Sequence, residues 1–266
     1  MIKTIHEKDR KEHLLKVWRG ETEAETKFCV KTTIEAEDEW LHSFYYFNDE
    51  IPKEEDFEKT MSDYLTFEFN MITHGKEYFF EEKDKINIIN KDLKLSSLEW
   101  KEFKISNFFE VSGTITTHPT KLKPNGKTPR ITCASTNNGL DATYDNEPTE
   151  KGKILTVDSA TIGYVAYQEN DFIATDHVEK IMFKNGKSMN RYLGLFIKQC
   201  IDNSVLSKYG YGYKFSQNRI KKQIIKLPVN SKGQPNWEFM ENFMRKIEYK
   251  KLNIYLDYIK NKTATN

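Results

Sequence analysis

Residues 208–222 mix aromatic, amide and cationic side chains in the manner of a surface that binds nucleic acid. The members of this mixture are Tyr209, Tyr211, Tyr213, Lys214, Ser216, Gln217, Asn218, Arg219, Lys221 and Lys222. Amide and guanidinium groups form paired hydrogen bonds with base edges, and lysine and arginine contact phosphates. Alternatively, the tyrosines pack in the core and the lysines only solvate a helix face, in which case mutation of Arg219 would leave DNA affinity unchanged. The nucleic-acid interpretation is favoured.

Two further loops carry the same kinds of hydrogen-bonding groups. The first contains Thr114, Thr116, Thr117, His118, Lys121 and Lys123, and the second contains Thr136, Asn137 and Asn138. Gly113 and Gly139 give the backbone of each loop the conformational freedom that a close approach requires. We expect both loops to face DNA.

A third group follows the next strands of the chain. Ser159 and Thr161 precede Gly163, and Asp176 with His177 ends the following pair of strands. Hydroxyl groups at strand ends commonly cap turns, so Ser159 and Thr161 fit a structural role as well as a DNA contact. For Asp176 and His177 a structural hydrogen-bonded pair is the favoured alternative to a DNA contact.

The chain lacks the motifs that would make it a catalyst on its own. A methyltransferase needs an Asn/Asp-Pro-Pro-aromatic motif and a glycine-rich cofactor loop, and neither occurs among the 7 prolines and 12 glycines. Asp63, Glu81 and Lys83 resemble the carboxylates and lysine of a metal-dependent nuclease, but such spacing arises easily in an acidic stretch. Close His/Cys clusters and a compact Ser/His/Asp set are missing. We therefore predict no cofactor, no metal ion and no catalysis.

Charge is distributed unevenly along the chain. The net charge of +1 combines residues 1–95, with 15 basic and 23 acidic side chains, and residues 96–266, with 26 basic and 17 acidic side chains. Binding to a polyanion depends on local charge. The second part is therefore the one suited to phosphates.

Composition indicates a soluble globular protein. Hydrophobic residues make up 38% of the 266 and charged residues 30%, and a chain of this length predicts two domains. The 3 cysteines are odd in number and widely spaced, which fits neither a disulfide framework nor a zinc knuckle with its close pairs. Residues 1–13 carry charge in place of a signal peptide's apolar stretch, and no long apolar run predicts a membrane span. We expect a cytoplasmic protein without membrane contact.

The N-terminal part predicts a small α+β domain over residues 1–95. Residues 26–34 are rich in β-branched side chains, and residues 64–70 and 77–81 predict strands on either side of a turn at 73–75. Pro52 and the acidic residues after it indicate a helix start. The polar stretch at 83–97, where the charge balance changes sign, is the predicted domain boundary.

Short strands with polar loops dominate residues 96–232. They are predicted over 108–111, 128–134, 152–157, 164–168, 172–175, 178–183 and 224–229, with a buried helix over 188–200 capped by Ser188 and a short basic helix near 216–222. Residues 237–262 predict a long helix with an apolar stripe. Packing on its own domain and packing on a helix of another subunit both fit that stripe.

The order of five segments resembles a known family. They are WKEFKISNFFEVSGTITT at 100–117, ITCASTNNGL at 131–140, TVDSATIGYVAYQENDFIATDHV at 156–178, KYGYGYKFSQNRIKKQIIKLPV at 208–229 and GQPNWEFMENFMRKI at 233–247. Residues 98–259 resemble the target-recognition domain of type I restriction-modification specificity subunits (S subunits), and the related modules of type IIB and IIG systems equally well. Residues 1–95 have no counterpart in that family.

The resemblance implies a fold and a division of labour. The expected fold is α/β (α+β): a recognition domain over 96–232 with a mixed, twisted β-sheet and helices, a long helix over 233–266 for packing or dimerisation, and the small N-terminal domain. The expected partners are double-stranded DNA, a methyltransferase subunit and an endonuclease subunit, which would carry the catalysis. Typical S subunits hold two recognition domains, and this chain has room for one. That difference fits either a half-length subunit that dimerises or a fragment of a larger fused enzyme.

Two other functions stay open at this point. A nuclease with a catalytic N-terminal domain would cut DNA in the presence of a metal ion and lose that activity in Glu81→Ala. A decoy or docking protein of a restriction complex would bind the methyltransferase through residues 1–95.

Overall fold

A computed structural model describes residues 50–71, 93–160, 163–206, 208–209 and 214–264, and the backbone of two short strands before them. The helices are α1 (Glu54–Met71), α2 (Ile105–Phe108), α3 (Arg191–Val205), α4 (Gln217–Lys222) and α5 (Trp237–Ala264). The strands are β1 (Cys29–Lys31), β2 (Phe44–Tyr46), β3 (Trp100–Lys104), β4 (Phe109–Gly113), β5 (Thr128–Ile131), β6 (Leu140–Tyr144), β7 (Ile154–Asp158), β8 (Val165–Gln168), β9 (Ile173–Ala174), β10 (Val178–Phe183) and β11 (Ile224–Pro228).

The strands form several small sheets. Strands β4, β10, β7 and β8 make an antiparallel sheet in that order, and β11 pairs antiparallel with β3. In a third sheet, β5 pairs antiparallel with β6 and parallel with β9. The prediction of a mixed α/β protein with a long C-terminal helix is confirmed.

Helix α3 packs across the four-stranded sheet because its apolar residues recur at helical spacing. Leu193, Phe196, Ile197 and Cys200 are all buried. At Gly194 the helix lies so close to Tyr167 that an added Cβ would stand 2.4 Å from the ring. The predicted cap was wrong: the helix begins at Arg191, and the Asn190 side chain, not Ser188, accepts the amide of Leu193 at 3.0 Å.

Helix α1 contradicts the strand predicted over residues 64–70. Phe57, Met61 and Tyr64 recur at helical spacing and are buried in the main core. The helix begins at Glu54 with the acidic first turn that the sequence indicated. It therefore shares a core with the unit predicted to begin at residue 96.

Helix α5 buries its first half on its own chain. Met240, Phe243, Met244 and Ile247 belong to the main core. Glu248 is fully buried and accepts hydrogen bonds from the Tyr192 hydroxyl at 2.6 Å and from Arg191, whose nearest nitrogen lies 3.0 Å away. Of the two interpretations of the apolar stripe, packing on its own domain holds as far as Leu252.

Candidate nucleic-acid interface

The turn between β9 and β10, residues 175–177, lies at the centre of the predicted surface. The first predicted loop is fixed to it, because the Thr114 hydroxyl donates to the carbonyl oxygens of Val178 at 2.9 Å and Thr175 at 3.3 Å. Three residues on, the Thr117 amide donates to the carbonyl of Ala174 at 2.8 Å. These hydrogen bonds therefore hold the loop in place where it leaves β4.

Ser159 ties the third predicted segment to the same turn. Its amide and its hydroxyl both donate to the His177 carbonyl at 2.9 Å, and its hydroxyl also lies 3.2 Å from Glu179. Ser159 is buried, so its hydroxyl positions the turn. The Cys133 thiol contacts the same His177 carbonyl at 3.3 Å, which brings the end of β5 to the turn as well.

Asp176 and His177 point outward from this turn. Their side chains are 74% and 55% exposed, and the nearest carboxylate oxygen and ring nitrogen lie 3.7 Å apart. That distance is too long for a strong hydrogen bond. His177 adopts a φ of 61°, a left-handed conformation that the tight turn imposes. Both side chains are therefore accessible from solvent.

Glu179 links the turn to α4. Its carboxylate accepts from the Gln217 side-chain amide at 2.9 Å, while its other oxygen faces Ser159. Lys214, Asn218 and Lys222 are exposed around this helix. The Arg219 side chain donates to the carbonyl of Lys214 at 2.9 Å, and this hydrogen bond ties the residues before the helix to the helix itself. Ser216 occupies the N-cap position of α4, with no side-chain cap hydrogen bond.

Tyr209 belongs to the core. It is 7% exposed, stacks on Phe215 at 4.4 Å between ring centroids, and donates its hydroxyl hydrogen to Gln223 at 3.1 Å. For this residue the structure matches the packing alternative. Thr161, Tyr211 and Tyr213 lie outside the described residues.

The histidine and the two lysines predicted in the first loop are exposed. His118, Lys121 and Lys123 are solvent-facing. Asn146 holds their backbone, because its side chain accepts the Lys123 amide and donates to the Lys121 carbonyl, each at 2.9 Å. The lysine side chains therefore extend from a fixed segment.

The second predicted loop lies beside helices α1 and α3. Asn137, Asn138 and Gly139 all have positive φ, between 49° and 78°. Asn138 is buried and donates to the Tyr167 carbonyl at 2.7 Å, so its amide holds the loop in place. Thr136 and Asn137 are exposed at a cleft of about 440 Å³ that Asp63 and Lys198 also line.

Sequence reasoning missed Glu179 and Glu150, which position the loops from beneath. Glu150 is 5% exposed, accepts the Ile115 amide, and pairs with Lys180 at 2.6 Å. Nothing in the sequence around an acidic residue outside a loop indicates that its side chain holds a loop in place. Among the described residues no group of three or more His, Cys, Asp or Glu side chains could hold a metal ion. Asp63 is on α1 rather than a strand, and Glu81 and Lys83 lie outside the described part.

With this geometry in view, comparison with known proteins identifies the family. A model of the type I restriction modification DNA specificity domain matches residues 97–256. The chain belongs to this family. The match nearly coincides with the segment whose motifs resemble such domains, so that prediction is confirmed. None of the described helices of this specificity domain has the length and apolar character that crossing a membrane requires.

Two curated proteins of Heyndrickxia coagulans are similar to the chain. It is 57% identical over 75 residues to the type II restriction enzyme and methyltransferase RM.BcgI, which covers 28% of this chain and 12% of that protein. It is 30% identical over 191 residues to the specificity subunit S.BcgI, which covers 71% of this chain and 54% of that protein. The chain thus spans about half the length of the second relative and a small part of the first.

Solved structures give more distant matches. The type I S subunit from M. genitalium matches with a TM-score of 0.41 and 12% identity, over 80% of this chain and 56% of that one. The HsdS subunit from Thermoanaerobacter tengcongensis matches with a TM-score of 0.38 and 9% identity, over 78% of this chain and 51% of that one.

Proposed function

We propose that this protein binds a short sequence in double-stranded DNA and directs a partner methyltransferase and endonuclease to it. The observation that carries the proposal is the convergence of three separated segments on residues 175–179. Thr114, Ser159 and Gln217 each bond to this turn or to Glu179 beside it. Segments far apart in sequence would meet in this way on a surface that reads several consecutive bases.

The solvent-accessible side chains of this surface divide by chemistry, and all of them but the half-buried Arg219 are exposed. Thr116, His118, Asp176, His177 and Asn218 carry donors and acceptors suited to base edges. Lys121, Lys123, Lys214, Arg219 and Lys222 supply charge for phosphates. We call these ten residues the recognition surface. The buried members of the predicted site, Thr117, Asn138, Ser159 and Tyr209, support it from within.

We further infer that methylation and cleavage are performed by partner proteins. The family is defined by DNA specificity, and S.BcgI is itself named a specificity subunit. Self-association is a further proposed role for the end of α5, where the helix continues past Leu252 and Ile254 is 61% exposed. Ile254→Lys should then lower the mass measured by light scattering, whereas Asn253→Lys should leave it unchanged.

The decisive experiment is selection from duplex DNA with a randomised central segment. The purified chain is tested with and without the methyltransferase subunit, and the retained DNA is sequenced. Enrichment of one motif supports the proposal. Failure to enrich any motif in either condition overturns it and favours a protein that keeps the fold without its DNA-reading role.

A nuclease is the second candidate, because the chain matches a segment of the fused enzyme RM.BcgI at 57% identity. It predicts cleavage of plasmid DNA with magnesium or manganese, abolished by Glu81→Ala. Uncut DNA under both metals would exclude it.

A further inference from the structure

Ile115 exposes an aliphatic side chain in the middle of the first loop. Its side chain is 62% exposed, the largest value among the exposed large apolar residues that the structure describes. The loop was predicted from its threonines, histidine and lysines, and Ile115 was not among them. An isolated exposed apolar residue is common on protein surfaces. The backbone around Ile115 makes this one unusual.

Four hydrogen bonds or bridges fix the loop on both sides of Ile115. The Thr114 amide and hydroxyl both donate to the Val178 carbonyl, at 3.2 Å and 2.9 Å. The Ile115 amide donates to the buried carboxylate of Glu150, and Thr116 forms a parallel bridge with Ala174. The isoleucine therefore cannot turn inward by a small loop movement. A fixed backbone with an outward aliphatic group is a preorganised contact.

The residues around Ile115 indicate which kind of ligand its side chain would contact. His118 and Lys121 follow it on the same loop, and Asp176 and His177 project from the turn to which that loop is bonded. A surface of cations and hydrogen-bonding groups suits DNA, and the feature of a major-groove base edge that an aliphatic group recognises is the C5-methyl group. Unmodified DNA supplies that methyl group only as thymine.

We infer that Ile115 is a specificity-determining residue that contacts the C5-methyl group of a thymine in the target. The inference rests on the proposed DNA-reading function and names one base-specific contact within it. It predicts that one position of the selected motif is thymine because of Ile115, while affinity from phosphate contacts is independent of this residue.

The first test compares motifs. Wild-type protein and Ile115→Ala are each used to select from the same randomised duplex library. We expect a thymine position of the wild-type motif to become degenerate in Ile115→Ala, whereas Ile115→Val keeps it. Ile51→Ala, which shortens another exposed isoleucine, should select the wild-type motif.

The second test removes the methyl group from the DNA. Deoxyuridine replaces that thymine in a duplex carrying the selected motif. We expect wild-type affinity to fall about fourfold, as loss of one methyl contact predicts, and the affinity of Ile115→Ala to be the same for both duplexes.

The outcomes separate the inference from the proposed function. If the wild type selects no motif, the proposed function fails. If the wild type selects a motif that Ile115→Ala reproduces unchanged, the inference alone fails. The inference also fails if Ile115→Ala lowers affinity relative to the wild type by the same factor on the deoxyuridine duplex as on the thymine duplex, as a wedge between base pairs would give.

Discussion

Lys208 is a buried cation at the edge of the recognition surface. Its ammonium group donates to the side-chain oxygen of Gln223 at 2.7 Å, and the Tyr209 hydroxyl donates to the same oxygen at 3.1 Å. Gln223 in turn donates to the Ser204 carbonyl at the end of α3. Burial lowers the pKa of Lys208 to about 8. This lysine therefore joins elements inside the domain and is not a phosphate contact.

The lowered pKa of Lys208 predicts a pH dependence of stability. Between pH 8 and the ordinary lysine pKa of 10.5, the unfolded chain binds more protons than the folded chain at this residue. The free energy of unfolding should then rise with pH in that window. Relative to Lys208→Met, the wild type should gain on the order of 1 to 2 kcal/mol between pH 7 and 9.5 in urea unfolding. Parallel pH profiles of the two proteins would contradict this, and Lys232→Met, at an exposed site, serves as control.

Glu248 joins α5 to α3 through a fully buried carboxylate. Glu248→Ala leaves the Arg191 guanidinium, whose side chain is 18% exposed, without this partner. Breaking such a pair should lower the free energy of unfolding by about 3 kcal/mol. Glu238→Ala, at an exposed glutamate of the same helix, should change it by less than about 0.5 kcal/mol. Similar values for the two variants, measured by urea unfolding, would show that the buried pair adds nothing.

At the scale of elements, strand prediction succeeded where apolar and β-branched residues cluster in short segments. All residues of β7 are buried, and β10 coincides with the predicted range of 178–183. The strand predicted over residues 64–70 was wrong because the aromatic and β-branched residues of this segment also suit a strand. Their helical spacing with Phe57 and Met61 becomes evident only over the whole of α1. Loop positions were predictable from composition, but which loops meet was not. That depends on hydrogen bonds between segments such as Ser159 and His177.

We expect the first loop and the α4 segment to make separate contributions to phosphate binding. Lys121→Gln, Lys214→Gln and Lys222→Gln should each reduce the slope of log affinity against log salt by about one, because each removes one phosphate contact. Lys232→Gln, an exposed lysine beyond the far end of β11, should leave the slope unchanged. The measurement is fluorescence anisotropy on the selected duplex over a salt series. Unchanged slopes for the first three variants would remove these lysines from the recognition surface.

At the scale of the whole molecule, one core connects parts of the chain that composition separates. The length of the chain predicted two domains, and the change from an acidic to a basic composition placed their boundary near residue 95. Yet α1 packs with α3 and α5: Phe57 stacks on Phe196 at 4.4 Å and meets Phe243 edge-on at 5.5 Å between ring centroids. Glu58 pairs with Lys250 across the same contact. Net charge describes surfaces and says little about which apolar faces meet.

Because α1 and α5 share a core, a destabilising substitution in α1 should also destabilise α5. Phe57→Ala should lower the free energy of unfolding by about 3 to 5 kcal/mol, because it removes a fully buried ring. Hydrogen exchange at the amides of residues 240–247 should accelerate in this variant, since those residues lose a packing partner. Glu55→Ala, at an exposed residue of the same helix, should preserve their protection. If residues 1–95 instead folded as an independent domain, Phe57→Ala would leave protection in α5 unchanged, and that result would support the predicted boundary.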